Sequence, residues 1–309
     1  MSESESRQVL EQVIIPSVTK GAVHQSRPVV VVVAGQPGAG KTEIADLVQA
    51  ALDRRGGAVR IGRDLYKPAH RRYAELLAAD VRTAGVKVRP DTSRWQAEVE
   101  AHVRACGFDA VVESALADPQ EFRASSHAYR RAGHRIEVVA VAVAEAWSQL
   151  GILDRFLADP RYVSWENHDT CAQQLLTTLA VVEAEHLADR VTVVRRDGTV
   201  LYDNEFADGS WRAGRPGERW RTSAPVPGVP RRPPSSVGTS PGLISGCTVN
   251  CAARTGAWPS SATPNVPPRS PSPYGASLSR DGGHRAWTTT GCRPRNTAGS
   301  STSSSRPPT

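Results

Sequence analysis

"VVVVVAGQPGAGKTEIADLV", Val29 to Val48, is the stretch on which the fold turns. Five valines and an alanine make a short β-branched run with no polar face, the pattern of a strand covered by helices on both sides. The run leads into Gly35, Gln36, Pro37, Gly38, Ala39, Gly40, Lys41 and Thr42, which match GxxxxGK[ST] in full, and helical spacing follows. Strand, glycine-rich loop and helix in that order are the context in which such a loop holds phosphate. Glycines let the backbone turn its N–H groups toward one anion at the positive end of the helix. Lys41, one of only 4 lysines in the chain, then reaches the β- and γ-phosphates of a bound nucleotide, and the Thr42 hydroxyl ligates Mg²⁺.

Working outward, the chain alternates. Short apolar strands are expected at Val29–Ala34, Ala58–Gly62, Asp109–Glu113, Glu137–Val143 and Val191–Arg195. Between them, helical spacing covers Lys41–Arg54, Pro68–Thr83, Ser93–Cys106, Pro119–Arg131, Ala144–Leu157 and Asp169–Leu187. Strands alternating with helices of this length imply an α/β fold of P-loop NTPase type, a parallel sheet flanked by helices. "VTVVRRDGTVLYDN" differs, because Asp-Gly between two alternating runs reads as a hairpin that closes one edge of the sheet.

Composition divides the chain. From Gly209 onward there are 13 Arg, no Lys and 2 acidic residues, a net of +11, so the total of +7 leaves −4 for residues 1–208. The basic character belongs to the tail, and the first two-thirds has no basic stripe with interleaved aromatics, which argues against nucleic acid as the partner. Residues 209–309 are rich in Pro, Ser, Gly and Arg and too poor in aliphatic residues to build a core, so they read as a disordered tail. A flexible Pro-rich extension and a GC-rich gene read out of frame both yield this composition. The expected organisation is a 1–28 segment with one helix around "VLEQVIIPSV", a 29–208 P-loop domain and the tail. The 5 Cys show no metal or disulfide spacing. With no signal-peptide pattern and no apolar run near the ~18 residues of a membrane helix, the expected setting is cytoplasmic, with no membrane partner.

Two carboxylates follow strands. Asp64 lies just beyond the second strand, at the edge that faces ligand in an open parallel sheet, where it could take the proton of an attacking hydroxyl. The plainer reading is a helix N-cap. Glu113 ends the third strand, where it could hold substrate hydroxyls or a Mg²⁺-bound water, or stand as an ordinary surface carboxylate.

The phosphate loop, the aspartate followed by "KPAHRRY", the "GFDAVVES" strand and "RYVSWENHD" together resemble the zeta toxin family of P-loop kinases. The resemblance implies ATP- or GTP-dependent phosphorylation of the 3′-hydroxyl of a UDP-N-acetyl amino sugar, interrupting cell-wall synthesis, and restraint by a small antitoxin. By position it implies a general base at Asp64, substrate binding by Asp64 and Glu113, and phosphate clamps at Arg155 and Arg161 beside Lys41, with His168 and Asp169 closing the lid motif. Arginine suits a clamp because its planar fork binds phosphate oxygens in pairs. This chain departs from the family pattern in three places. The strand-end threonine falls on Ala115, a second substrate-binding glutamate falls on Ala97 with Glu98 beside it, and Arg155 and Arg161 lie closer together than the family's pair. The expected activity is kinase action on a small-molecule hydroxyl. Phosphorylation of an antibiotic or nucleoside, and nucleotide binding without transfer, are the alternatives.

Overall fold

In the computed structural model, which describes residues 1–159 and 161–212, the valine run is β1 (Val29–Ala34), and all of its residues are buried. Fully burying a valine side chain contributes about 1.5–3 kcal/mol, so this strand anchors the sheet. β1 pairs in parallel with β3 (Asp109–Ser114) on one side and β4 (Arg135–Val141) on the other. β2 (Ala58–Ile61) lies outside β3, and β5 (Arg190–Val194) outside β4, again in parallel. β6 (Val200–Ala207) returns antiparallel to β5, and β7 (Ser210–Trp211) antiparallel to β6, for an order β2-β3-β1-β4-β5-β6-β7. The chain leaves β1 toward β2 and leaves β4 toward β5, so the carboxyl ends of β1 and β4 bound a crevice.

Helices cover both faces. α3 (Lys41–Asp53) follows the phosphate loop, α7 (Pro119–Arg131) links β3 to β4, and α8 (Glu145–Ala158) and α9 (Trp165–Ala184) link β4 to β5. The hairpin forms as read, with its turn at Arg195–Thr199.

Elsewhere the structure corrects the sequence reading. No single helix covers Pro68–Thr83: after α4 (Arg63–Tyr66) comes a 3₁₀ turn (Lys67–Ala69), and the helix that follows is the short α5 (Tyr73–Ala79). It ends at Asp80, whose backbone is extended and whose carboxylate caps the next helix by accepting from Arg82 N at 2.9 Å. That helix, α6 (Val81–Cys106), starts a dozen residues before Ser93 and runs through Pro90. Proline removes the donor to the Val86 carbonyl, but Val86 is exposed, so water can serve that carbonyl. Buried Ala84, Val88, Trp95, Val99 and Val103 keep the helix against the sheet.

The first 28 residues are not a separate appendage. α1 (Glu3–Val9), a π turn (Leu10–Ile14) and α2 (Ile15–Val18) place Val9, Leu10, Ile14 and Val18 in the main core, and Trp95 Nε1 donates to Ser6 O at 3.0 Å. At the other end the domain passes the expected boundary at Asp208. Trp211 of β7 packs on Phe206 and donates to Glu183 O at 3.0 Å. The remainder of the expected tail, 213–309, lies outside the described residues.

Candidate active site

The loop between β1 and α3 is held from several sides. Gly38 has φ +76, and a Cβ there would lie 1.9 Å from the Ser148 carbonyl oxygen, so α8 and the loop approach more closely than any side chain allows. Gly40 caps α3 in the left-handed region. Lys41 Nζ folds back to Gly35 O at 2.8 Å and Gln36 O at 3.1 Å. Burial pulls its ammonium below the ordinary lysine value, with Arg155 adding to the fall and Glu113 and Asp64 opposing it. The ion therefore favours a new anionic partner.

Beside the loop, Thr42 Oγ1 donates to Glu113 Oε2 at 3.2 Å. Arg60 of β2, which sequence reasoning missed, holds the other Glu113 oxygen through Nε at 3.1 Å and Nη2 at 2.9 Å and also reaches Asp46 at 3.1 Å. A hydroxyl and a carboxylate at this separation are hard oxygen donors of the kind Mg²⁺ prefers, directly or through water.

Across the mouth stands Asp64, in the first turn of α4. It is not the cap, which is Gly62 and has no side chain to offer. Its carboxylate meets Lys67 Nζ at 2.7 Å and Arg155 Nη2 at 3.8 Å. Burial pushes the Asp64 carboxyl up, but Lys67, Arg155 and Arg161 together outweigh it and leave it below the ordinary aspartate value. Arg161 itself pairs with Asp159 at 2.6 Å and lies near enough to act on Asp64 and Tyr73. The structure thus gathers Lys41, Thr42, Asp64, Glu113, Arg155 and Arg161 at one edge of the sheet, although the sequence spreads them over three connections and the end of β3.

His168 and Asp169 take a different place. Gln36 Nε2 donates to Ser148 Oγ at 3.3 Å, Ser148 Oγ shares a 2.7 Å hydrogen bond with His168 Nε2, and His168 Nδ1 meets Asp169 Oδ1 at 2.8 Å. Ser148 and His168 are fully buried, so this Ser-His-Asp line is no nucleophile. It fastens α8 and α9 to the second residue of the phosphate loop.

A cavity of about 320 Å³ opens between α6 and α7, beside the end of β3. Arg63, Gln96, Ala97, Glu100, Ser114 and Ser125 are among its lining. Ala97 brings no polar group and Glu98 is exposed, but Glu100, one turn on, is buried against the cavity. Gln96 Nε2 at 2.8 Å and Ser125 Oγ at 3.0 Å donate to its two oxygens. Burial raises the Glu100 carboxyl above its ordinary value, with Gln96, Ser125 and Arg104 opposing.

A phosphate loop between the first strand and helix of a 2-3-1-4-5 parallel sheet, with basic and acidic side chains facing it from the strand ends, defines a P-loop fold of kinase type. Residues 15–207 match the profile of the zeta toxin family, and the chain belongs to that family. It is 21% identical over 196 residues to "Toxin PezT" of Streptococcus pneumoniae, covering 61% of this chain and 77% of that protein. To "Toxin zeta" of Streptococcus agalactiae it is 22% identical over 197 residues, covering 62% and 68%. A solved structure from the PezAT chromosomal toxin–antitoxin system of Streptococcus pneumoniae superposes with a TM-score of 0.57 at 20% identity, over 66% of this chain and 81% of that one. At this identity the superposition speaks for the fold. No helix among the described residues is long and apolar enough to cross a membrane.

Proposed function

We propose that this chain is a kinase that moves the γ-phosphoryl group of ATP or GTP to a hydroxyl of a small molecule, a UDP-N-acetyl amino sugar being the acceptor that its family implies. The observation that carries the reading is the place of Asp64. It is a carboxylate kept ionised beside Arg155 and near enough to the phosphate loop for its charge to act on Lys41. A hydroxyl that attacks the γ-phosphate must lose its proton, and an ionised, positioned carboxylate accepts it. Lys41, its fall-back contacts exchanged for phosphate oxygens, neutralises the triphosphate from the loop side. Arg155 and Arg161 meet the charge that spreads over the transferring group from the lid side. Thr42 and Glu113 are the residues that would hold Mg²⁺, which screens the triphosphate when bound.

The cavity between α6 and α7 adjoins this site and fits an acceptor. Ala97 withholds a polar contact there, and Ala115 stands where the family pattern has a threonine, while Gln96 and Glu100 supply other polar groups, which favours as second reading a different hydroxyl compound, such as a nucleoside or antibiotic. A small antitoxin as partner follows from the family and from the toxin–antitoxin origin of the superposed structure. A screen of hydroxyl acceptors with γ-labelled ATP tests the proposal, with Asp64→Asn as the control. Label passing to no UDP-sugar, nucleoside or antibiotic would leave a nucleotide-binding module.

A further inference from the structure

One side chain from the far end of the domain grips the phosphate loop from outside. Arg196, in the turn between β5 and β6, donates through Nε to Ala39 O at 3.1 Å and through Nη2 to Gly38 O and to Trp147 O, the last at 3.3 Å. None of the ion pairs among the described residues includes Arg196. Its donors go to carbonyls instead.

The physical reason lies in the loop. Backbone N–H groups that turn inward to cradle an anion force the intervening carbonyls outward, and those carbonyls need donors of their own. A guanidinium suits the task because its planar fork reaches several acceptors without rearranging, where an ammonium offers only a point charge. Its positive charge also stands behind a site meant for a triphosphate.

A second observation points the same way. Gly151 sits in the middle of α8, where alanine would favour the helix by about 1 kcal/mol. A Cβ there would lie 2.7 Å from Gly38 O and 2.9 Å from Arg196 Nη2. At Gly40 a Cβ would press within 3.2 Å of Arg196 Cγ. Both glycines leave room for the same guanidinium.

We infer that Arg196 is a positioning residue that holds the phosphate loop in its anion-binding shape and locks it to α8, the helix that carries Arg155. The inference rests on reading Gly35–Thr42 as the triphosphate site. It gives α8 and the loop one shared tie, so displacement of either one loosens the other.

Two measurements on the full chain test it. In hydrogen exchange without nucleotide, Arg196→Ala should speed exchange of the amides of residues 35–42 while β3 and β4 keep their protection. Gly151→Ala should do the same despite its better helix propensity. In calorimetry with Mg²⁺-ATP, Arg196→Ala should weaken binding roughly ten- to a hundredfold, the worth of charge-assisted hydrogen bonds. Added guanidinium ion at non-denaturing concentration should restore part of that loss, and should restore nothing to Lys41→Ala. Unchanged loop exchange in Arg196→Ala would overturn the inference, as would exchange that rises evenly across the sheet, which marks a merely structural tie. Wild-type protein that binds no ATP would instead defeat the triphosphate reading, and the loop exchange would still decide the role of Arg196.

Discussion

Replacing Asp64 by Asn removes one charge and one basic lone pair and leaves the side chain's size unchanged. The carboxylate is about half exposed, at 51%, and its partners are Lys67 at 2.7 Å and Arg155 at 3.8 Å. Exposed ion pairs of this kind contribute about 0–1 kcal/mol each, so Asp64→Asn should unfold within about 1–2 kcal/mol of wild type. Since Gly62 caps α4, no cap is lost. Mg²⁺-ATP should bind as well as before or slightly better, because a negative charge leaves the surroundings of the triphosphate. Transfer is another matter. A positioned base contributes about 10²–10⁴ in rate, which corresponds to roughly 3–5.5 kcal/mol of barrier. Single-turnover transfer from γ-labelled ATP, together with calorimetric affinity on the same preparation, separates the two quantities. Transfer within a few-fold of wild type would refute the assignment of Asp64 as base. Loss of ATP binding in step with transfer would refute the reasoning that Asp64 acts only on the acceptor.

Arg161→Ala should lower turnover more than ATP affinity, by up to about 10³–10⁵ if the arginine meets charge that grows in the transition state; an effect confined to apparent affinity would make it a ground-state contact. The pH dependence follows from the lowered Asp64 value: a base with a depressed pKa is active above that pKa and loses activity as pH falls through it. Wild-type transfer should therefore show no Asp64 limb between about pH 5 and 8, and Lys67→Met, which leaves burial in place but removes the nearest cation, should move the acidic limb upward. An acidic limb that stays put in Lys67→Met would dissociate it from Asp64. A chain ending at Arg212 should melt a few degrees, about 2–8 °C, above one ending at Asp208, because the shorter chain lacks Trp211 and its bond to Glu183 O; equal melting temperatures would show that β7 adds nothing.

The central strand, the loop and the hairpin were legible because each depends on neighbours in sequence: five valines, a glycine spacing, an Asp-Gly turn. The break at Asp80 carried a local signal too, an aspartate followed by Thr83, which donates to it at 2.7 Å, but the apolar spacing around it continued and masked the cap. The extension of α6 back through Pro90 has a tertiary reason. Proline in an isolated helix costs about 3 kcal/mol, and only the row of buried residues from Ala84 to Val103 keeps α6 continuous across it. In the site, the residues that follow strands or match a motif could be read, whereas those that support them could not. Arg60 sits mid-strand, and Arg196 looks like any turn arginine until β5 is laid beside β4. Glu100 escaped notice because the family pattern directs attention to position 97, and only the helix geometry turns the carboxylate one turn later into the cavity.

The strand order also sets a schedule for the growing polypeptide. The phosphate loop is complete once Thr42 has been made, but its outer brace is Arg196, 154 residues later, in the turn that follows β5, the strand that docks against β4. At about 5–20 residues per second of synthesis, the loop waits roughly 8–30 s on the ribosome before the side chain that shapes it exists. Arg155 and Arg161 arrive in that interval as well, with no finished sheet to present them. A nascent chain therefore carries the recognisable motif long before it carries the site. Any message that stops short of the β5–β6 turn yields a protein with the phosphate-loop sequence and without the guanidinium that braces Gly38 and Ala39 from outside.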